Sequence, residues 1–203
     1  MTAVDGSDPD GKGLGLRLNA YPGDWSLDGR FIVGTGIRPE TSSRDLFVFE
    51  IASGTLTFPV ESRLEETDPQ LSPDGKWLAY SVADESNQWD VYVRPFGRPG
   101  GVWRVSRRGG RFPRWTDNGR ALFYVEPDGT LTRATIVLQP SSISITSKED
   151  LFRHDALTYE YNLPAPSYPY GVAGPRFLIR VPVEIARPEP INVVLNWASL
   201  VKR

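Results

Sequence analysis

Short apolar runs separated by tight polar turns recur along the chain in one fixed arrangement. Trp25-Ser26-Leu27-Asp28-Gly29-Arg30-Phe31-Ile32-Val33, Leu71-Ser72-Pro73-Asp74-Gly75-Lys76-Trp77-Leu78-Ala79-Tyr80 and Trp115-Thr116-Asp117-Asn118-Gly119-Arg120-Ala121-Leu122-Phe123-Tyr124 align without gaps. Gly29, Gly75 and Gly119 lie 46 and 44 residues apart. Val172-Ala173-Gly174-Pro175-Arg176-Phe177-Leu178-Ile179 is a fourth, degraded copy whose Gly lies 55 residues further on. In the first three, an apolar or aromatic residue ends a short strand and Ser or Thr follows. Asp28, Asp74 and Asp117 then sit in a turn whose glycine takes positive φ without a Cβ clash. Pro73 presets φ at the first corner, and an Asp there bonds its own backbone. A basic residue and an apolar strand follow, which is a hairpin signature.

The second copy predicts a complete unit. Residues 69–72 read as a short inner strand and 76–82 as a nearly continuous apolar strand, a pattern that implies burial on both faces. Residues 90–96 and 102–106 are the third and fourth strands, with a Gly/Pro turn at 97–101. The first copy predicts later strands at 30–33, 45–51 and 55–60, the third at 121–126, 131–138 and 143–146. The fourth predicts strands at 176–183 and 191–197. The sole helical expectation is one turn over 148–152. Four strands in about 40–45 residues is the size of one propeller blade. The expected fold is all-β: a single β-propeller domain of four-stranded antiparallel blades, about four of them, over residues 20–66, 67–110, 111–153 and 154–203. Residues 1–19 are expected to supply the outer strand of a preceding or closing blade.

Composition narrows the chemistry. The chain has 203 residues, with 19 Gly, 18 Pro and 11% aromatic residues, so it is rich in turns yet has the apolar bulk for a core. It has no Cys and one His, which excludes thiol chemistry, disulfides, Cys-ligated zinc and a multi-histidine metal site within one chain. No catalytic, cofactor or metal residues are assigned. Charge is balanced at net −2, giving no electrostatic footprint for nucleic acid. Arg104, Arg107, Arg108, Arg111 and Arg114 cluster near Trp103 and Trp115, but strand alternation splits them between faces, so a solvated edge is expected. No apolar run is long enough to span a membrane, and the first residues read as no signal peptide.

Other local patterns have bland readings. His154 beside Asp155 has no Gly-x-Ser-x-Gly nucleophile to serve and reads as a polar connection. Residues 5–11 look like a calcium loop, yet Arg17 stands where the bidentate acid belongs. Gly11-Lys12-Gly13-Leu14-Gly15 and Gly34-Thr35-Gly36 lack phosphate-loop spacing. Trp25, Trp77, Trp115 and Tyr80 are expected to pack between blades. Tyr159, Tyr161, Tyr168 and Tyr170 fall in or beside a Pro-rich connection and are candidates for recognition.

These residues resemble a known family. Residues 71–81 look like the repeat of TolB-type, WD-repeat-like β-propellers. Asp90-Val91-Tyr92-Val93-Arg94-Pro95-Phe96, Gly109-Gly110, Pro113-Arg114-Trp115 and Val193-Val194-Leu195-Asn196-Trp197 are similar to the C-terminal propeller of some bacterial serine/threonine protein kinases. Leu27 departs from the family's usual Pro, and no kinase catalytic motif is present in the sequence. The resemblance implies six or more blades in a full ring, hence the C-terminal part of a larger propeller protein. It also implies an extracytoplasmic setting, though the sequence itself leaves the compartment open. The expected function is a non-catalytic module for interaction or ligand sensing. The alternative is the regulatory remnant of a protein kinase or propeller hydrolase. By repeat position the face formed by segments entering the inner strands holds Tyr21, Asp24, Asp68, Gln70, Arg111, Arg114, Tyr168 and Tyr170. Acids, Arg and Tyr together suit a protein or peptide, or a small polar ligand. Homodimerisation through exposed blade faces is a further expectation.

Overall fold

The structure is a computed structural model and describes residues 19–38, 40, 43–60, 62–158, 168–173 and 176–181. The first sheet orders β1 (Ala20–Trp25), β2 (Phe31–Ile37), β3 (Arg44–Glu50) and β4 (Thr55–Thr57). The second orders β5 (Glu65–Leu71), β6 (Trp77–Ala83), β7 (Trp89–Pro95) and β8 (Trp103–Arg104). The third holds β9 (Arg111–Thr116), β10 (Ala121–Val125), β11 (Thr130–Leu138) and β12 (Ile143–Arg153). β13 (Tyr170–Ala173) and β14 (Arg176–Ile179) form a two-stranded sheet among the described residues. Every pairing is antiparallel between sequence neighbours. This is a meander of propeller blades, about four in number.

The turns between the first two strands of each sheet explain the recurring motif. In the first sheet the Ser26 hydroxyl donates to Asp28 Oδ1 (2.7 Å) and accepts from the Phe31 amide (2.8 Å), while Asp28 Oδ1 accepts from the Arg30 amide (3.0 Å). In the second, Ser72 donates to Asp74 (2.6 Å), Trp77 N donates to Ser72 (3.0 Å) and Lys76 N to Asp74 (3.1 Å). Gly29 and Gly75 take φ of 72° and 67°, and each amide donates to the Ser carbonyl at 2.8 Å. Only a residue without Cβ enters this left-handed region freely. Gly119 occupies the same corner of the third sheet with φ 85°, behind a short 3-10 turn at Asp117–Gly119.

The continuous apolar strands arise because each middle strand feeds two seams. Side chains alternate across a strand. Trp77 and Ala79 join Trp115, Leu122 and Tyr124 between the second and third sheets. Leu78 and Tyr80 join Val33 and Leu46 between the first and second. Phe123 and Val125 turn the other way and pack with Tyr170, Val172 and Phe177 of the last hairpin. Burying a large aromatic this way removes about 150–250 Å² from water.

Three expectations are corrected. The inner strand of the second copy starts at Glu65, not at 69, because a bulge at Asp68 and Pro69 lets the polar run continue the ladder. Residues 148–152 form no helical turn; they extend β12, with bulges at Leu131/Thr132 and Thr135/Ile136 holding its register on β11. Trp25 is 51% exposed rather than packed between sheets. Its counterparts Leu71 and Trp115 face the preceding sheet, and no described sheet lies on that side of β1. Ile32, Phe47 and Phe49 form an apolar cluster on the same side. The expected strand at 191–197, residues 1–18 and the tyrosines at 159 and 161 lie outside the described residues.

Candidate functional site

The inner strands β1, β5, β9 and β13 converge, and each of the first three breaks its ladder at the same repeat position. The register shifts between Pro22 and Asp24, between Thr67 and Gln70, and between Arg111 and Arg114. The residue before Pro69 is Asp68 with φ 56°, and the residue before Pro113 is Phe112 with φ 58°. Proline disfavours the right-handed helical region for its predecessor, and the bulge places these two non-glycine residues in the left-handed region. Such conformations cost about 1–3 kcal/mol each and persist where the surroundings over-determine them.

The surroundings here are contacts between sheets. Asp24 Oδ2 accepts from the Leu71 amide at 2.9 Å, and Gln70 Oε1 accepts from the Trp115 amide at 2.6 Å. Asp24 and Gln70 are repeat equivalents, as are Leu71 and Trp115, so one staple is used twice. The Trp115 indole N–H also donates to the Gln70 carbonyl (3.2 Å). Buried Asp68 accepts from Thr67 Oγ1 (2.9 Å) and pairs with Arg111 Nε (3.3 Å). The Arg111 guanidinium lies 3.8 Å from the centroid of Trp89, a cation–π contact. Phe112 N donates to Ser81 Oγ, and the Phe112 carbonyl accepts from Tyr170 OH at 2.8 Å. Tyr168 OH donates to the Pro69 carbonyl at 3.2 Å, and its ring meets Phe112 edge-on. The Arg114 guanidinium stacks on Tyr168, 3.4 Å from the ring centroid.

The structure therefore brings Asp24, Asp68, Gln70, Arg111, Arg114, Tyr168 and Tyr170 to one region, mostly as partners of one another. Tyr21 stays on its own sheet, opposite Thr35. Burial raises the Asp24 carboxyl above its ordinary value despite the Leu71 and Trp25 amides that pull it down. Burial also holds the Tyr168 and Tyr170 phenols protonated far above the usual range. Outside this region, His154 caps a 3-10 turn, its Nδ1 accepting from the Ala156 amide at 3.1 Å. Arg104, Arg108 and Arg111 are each paired with acids.

Sequence reasoning missed a second cluster, at the seam between the first two sheets. Asp45 on β3 and Glu66 on β5 are 0% and 1% exposed. Arg38 Nε lies 3.2 Å from Asp45 Oδ2, Ser43 donates to the same oxygen, and Ser62 donates to Glu66 Oε1. Asp45 Oδ1 and Glu66 Oε2, the other oxygens of the two carboxyls, are buried without a hydrogen-bond partner. Burial, and then the neighbouring Asp45 carboxylate, raise Glu66 to about 7. The local sequence shows ordinary acids in strands; only the packing of one sheet on the next reveals the pair.

Among the described residues no group of three or more His, Cys, Asp or Glu is placed to hold a metal, and no helix is long and apolar enough to cross a membrane. Two cavities of about 580 and 520 Å³ flank the Phe96–Arg98 loop. Neither is lined by Asp45 or Glu66.

Comparison with known proteins agrees with this architecture. No family model matches the sequence, and no curated protein does. Among solved structures, a putative TolB from Agrobacterium tumefaciens superposes with TM-score 0.51 at 20% identity, covering 68% of this chain and 52% of that one. TolB from Acinetobacter baumannii gives TM-score 0.53 at 20% identity, covering 68% of this chain and 35% of that one. The β-propeller domain of the Trilobed protease from Pyrococcus furiosus gives TM-score 0.48 at 19% identity over 66% of this chain and 44% of that domain. The chain thus spans about half, or less, of the length of these relatives. The likeness to kinase-linked propellers rests on the sequence alone. Antiparallel blades, the Ser-Asp-Gly corners of the first two sheets and the likeness to the two TolB structures together make the fold a β-propeller similar to that of TolB.

Proposed function

We propose that this chain is a non-catalytic interaction module that binds a protein or peptide segment across the region where its inner strands converge. The observation that carries this reading is the state of Arg114. It is a half-buried guanidinium fixed on an aromatic ring, and among the described residues it has no hydrogen-bond acceptor or ion-pair partner. Arg and Tyr at such positions are characteristic anchors of protein contacts. The buried acid pair supports the same reading. A glycosidase needs two carboxyls reachable by substrate and several ångströms apart, whereas Asp45 and Glu66 are sealed in a seam.

A peptide library displayed against the full chain tests the proposal, with Arg114→Ala as counter-selection. The expected result is a family of peptides whose binding is lost in the variant while its melting temperature stays within a few degrees of the parent. Peptides that bind both proteins equally would place recognition elsewhere. A small polar ligand taken by the same face would compete with the selected peptides.

A further inference from the structure

The departure of the third repeat from a rule kept by the first two has a chemical meaning. Asp24 and Gln70 each offer an oxygen to the backbone amide of the next sheet. The equivalent residue of the third repeat is Arg114. A guanidinium carries five N–H donors and no acceptor, so this side chain cannot make the staple. It sits over the Tyr168 ring instead.

The neighbouring acceptors face other donors, and Asp24 reaches Arg114 through charge alone. Asp24 Oδ1 takes the Trp25 amide and Oδ2 takes the Leu71 amide. Gln70 Oε1 takes the Trp115 amide. Asp68 Oδ2 takes Thr67 and Arg111. The Arg114 donors make no hydrogen bond among the described residues, while contact with the Tyr168 ring holds the guanidinium in place. Preorganising a planar fork lowers what a ligand must order on binding. The local formal charges, Arg111 and Arg114 against Asp24 and Asp68, balance. A dense polyanion gains little there. A single carboxylate, whose two oxygens match the fork, gains paired charge-assisted hydrogen bonds.

From this we infer that Arg114, mounted on Tyr168, is a carboxylate-recognition site, and that the segment bound across the inner strands presents an acidic side chain or a free C-terminal carboxylate to it. The inference rests on the proposed binding face and adds the chemistry of what that face reads.

The test follows the Arg114 Nε–Hε resonance by NMR in the full chain, labelled with 15N. The probes are acetyl-Gly-Glu-Gly amide, acetyl-Gly-Gln-Gly amide, and acetyl-triglycine with a free or an amidated C-terminus. A saturable shift with the glutamyl peptide or with the free-acid triglycine, and none with its neutral match, is the expected result. Which of the two acids acts identifies a side-chain or a terminal carboxylate. Arg114→Gln should weaken binding at least tenfold, followed on the Trp115 indole resonance. Arg114→Lys, which keeps charge and loses the fork, should fall between. Tyr168→Leu separates the stacked platform from the charge and should weaken binding severalfold. Equal shifts with charged and neutral probes would overturn carboxylate recognition and leave the binding face standing. No shift from any acid up to 10-millimolar scale concentrations (roughly the weak limit of a lone ion pair) would overturn the inference itself. Acidic peptides that shift other resonances equally in wild type and Arg114→Gln would do the same.

Discussion

Replacing Glu66 by Gln should remove most of the protein's pH-dependent stability between mildly acidic and mildly basic conditions. The Glu66 carboxyl is pushed from 4.5 to about 7 by burial and then by Asp45. Folding therefore takes up a proton in this interval, and stability must fall as pH rises. Its contribution is fully present below about 4.5, is lost through about 7, and is flat above that. At about 1.4 kcal/mol per pH unit the total change is of the order of 3 kcal/mol. For a domain of this size that corresponds to roughly 6–12 °C in melting temperature. The groups facing Glu66 are Asp45, Arg38, Ser62 and Tyr80. Tyr80 is raised to about 12 by its own burial and stays protonated throughout. A Gln amide can donate to the unpartnered Asp45 Oδ1 as a protonated Glu does, so the variant should be the more stable protein at pH 8 and nearly equal at pH 5. Urea denaturation of both proteins at half-unit steps from pH 5 to 8 measures the two curves. Parallel curves, with the parent's slope intact in the variant, would refute the reasoning.

Three further outcomes follow from the geometry. Gly75→Ala places a Cβ in open space at φ 67°, so only backbone strain is felt, and urea midpoints should report a loss of about 1–2 kcal/mol; Gly34→Ala drives a Cβ into the Phe47 ring and the Tyr21 carbonyl and should lose considerably more. Gln70→Leu leaves the Trp115 amide without its acceptor, for a loss of about 1–3 kcal/mol in the same assay. Trp115→Ala should cost about 3–5 kcal/mol, whereas half-exposed Trp25 should tolerate Ala with a change under about 1 kcal/mol; equal losses at the two sites would show that a further sheet covers Trp25.

What could be read from the sequence was what each copy encodes locally. Ser26-Asp28-Gly29 and Ser72-Asp74-Gly75 carry the whole hydrogen-bond relay of a corner within six residues, so aligning them was enough to place it. The double-faced strands were legible for a similar reason, since 77–80 is apolar at every position and alternation assigns alternate residues to opposite seams. The inner strands were harder. Glu65–Leu71 contains four acids or amides and a proline, and its ladder survives only because Asp68 adopts a conformation that sequence patterns do not announce. β12 was misjudged because Ser147-Lys148-Glu149-Asp150 is polar on both faces; it is held by pairing to β11 rather than by burial. The candidate residues were located by repeat position, but their mutual bonding was not, because each bond crosses from one copy to the next.

The two seams show how a repeat protein can place different chemistry in equivalent packing. Tyr80 and Tyr124 stand at the same position of successive sheets, both buried and both raised to about 12. Each has a buried acid beside it, but from different strands: Glu66 is the second residue of β5, whereas Glu126 follows β10. The residue equivalent to Glu66 in the third sheet is Gly110, where any Cβ would meet the Tyr124 ring. At the second seam Arg108 binds Glu126 directly and reaches Asp150 as well. At the first seam Arg38 binds Asp45, and Glu66 receives only a serine hydroxyl. One cation then faces two buried carboxyls, and a proton is the remaining means of balancing them. A rise in pH therefore loads the contact between the first and second sheets, and opening should begin there: amide exchange of Asp45 and Glu66 should quicken between pH 6 and 8 beyond the intrinsic pH dependence, while that of Tyr124 and Glu126 follows the intrinsic rate.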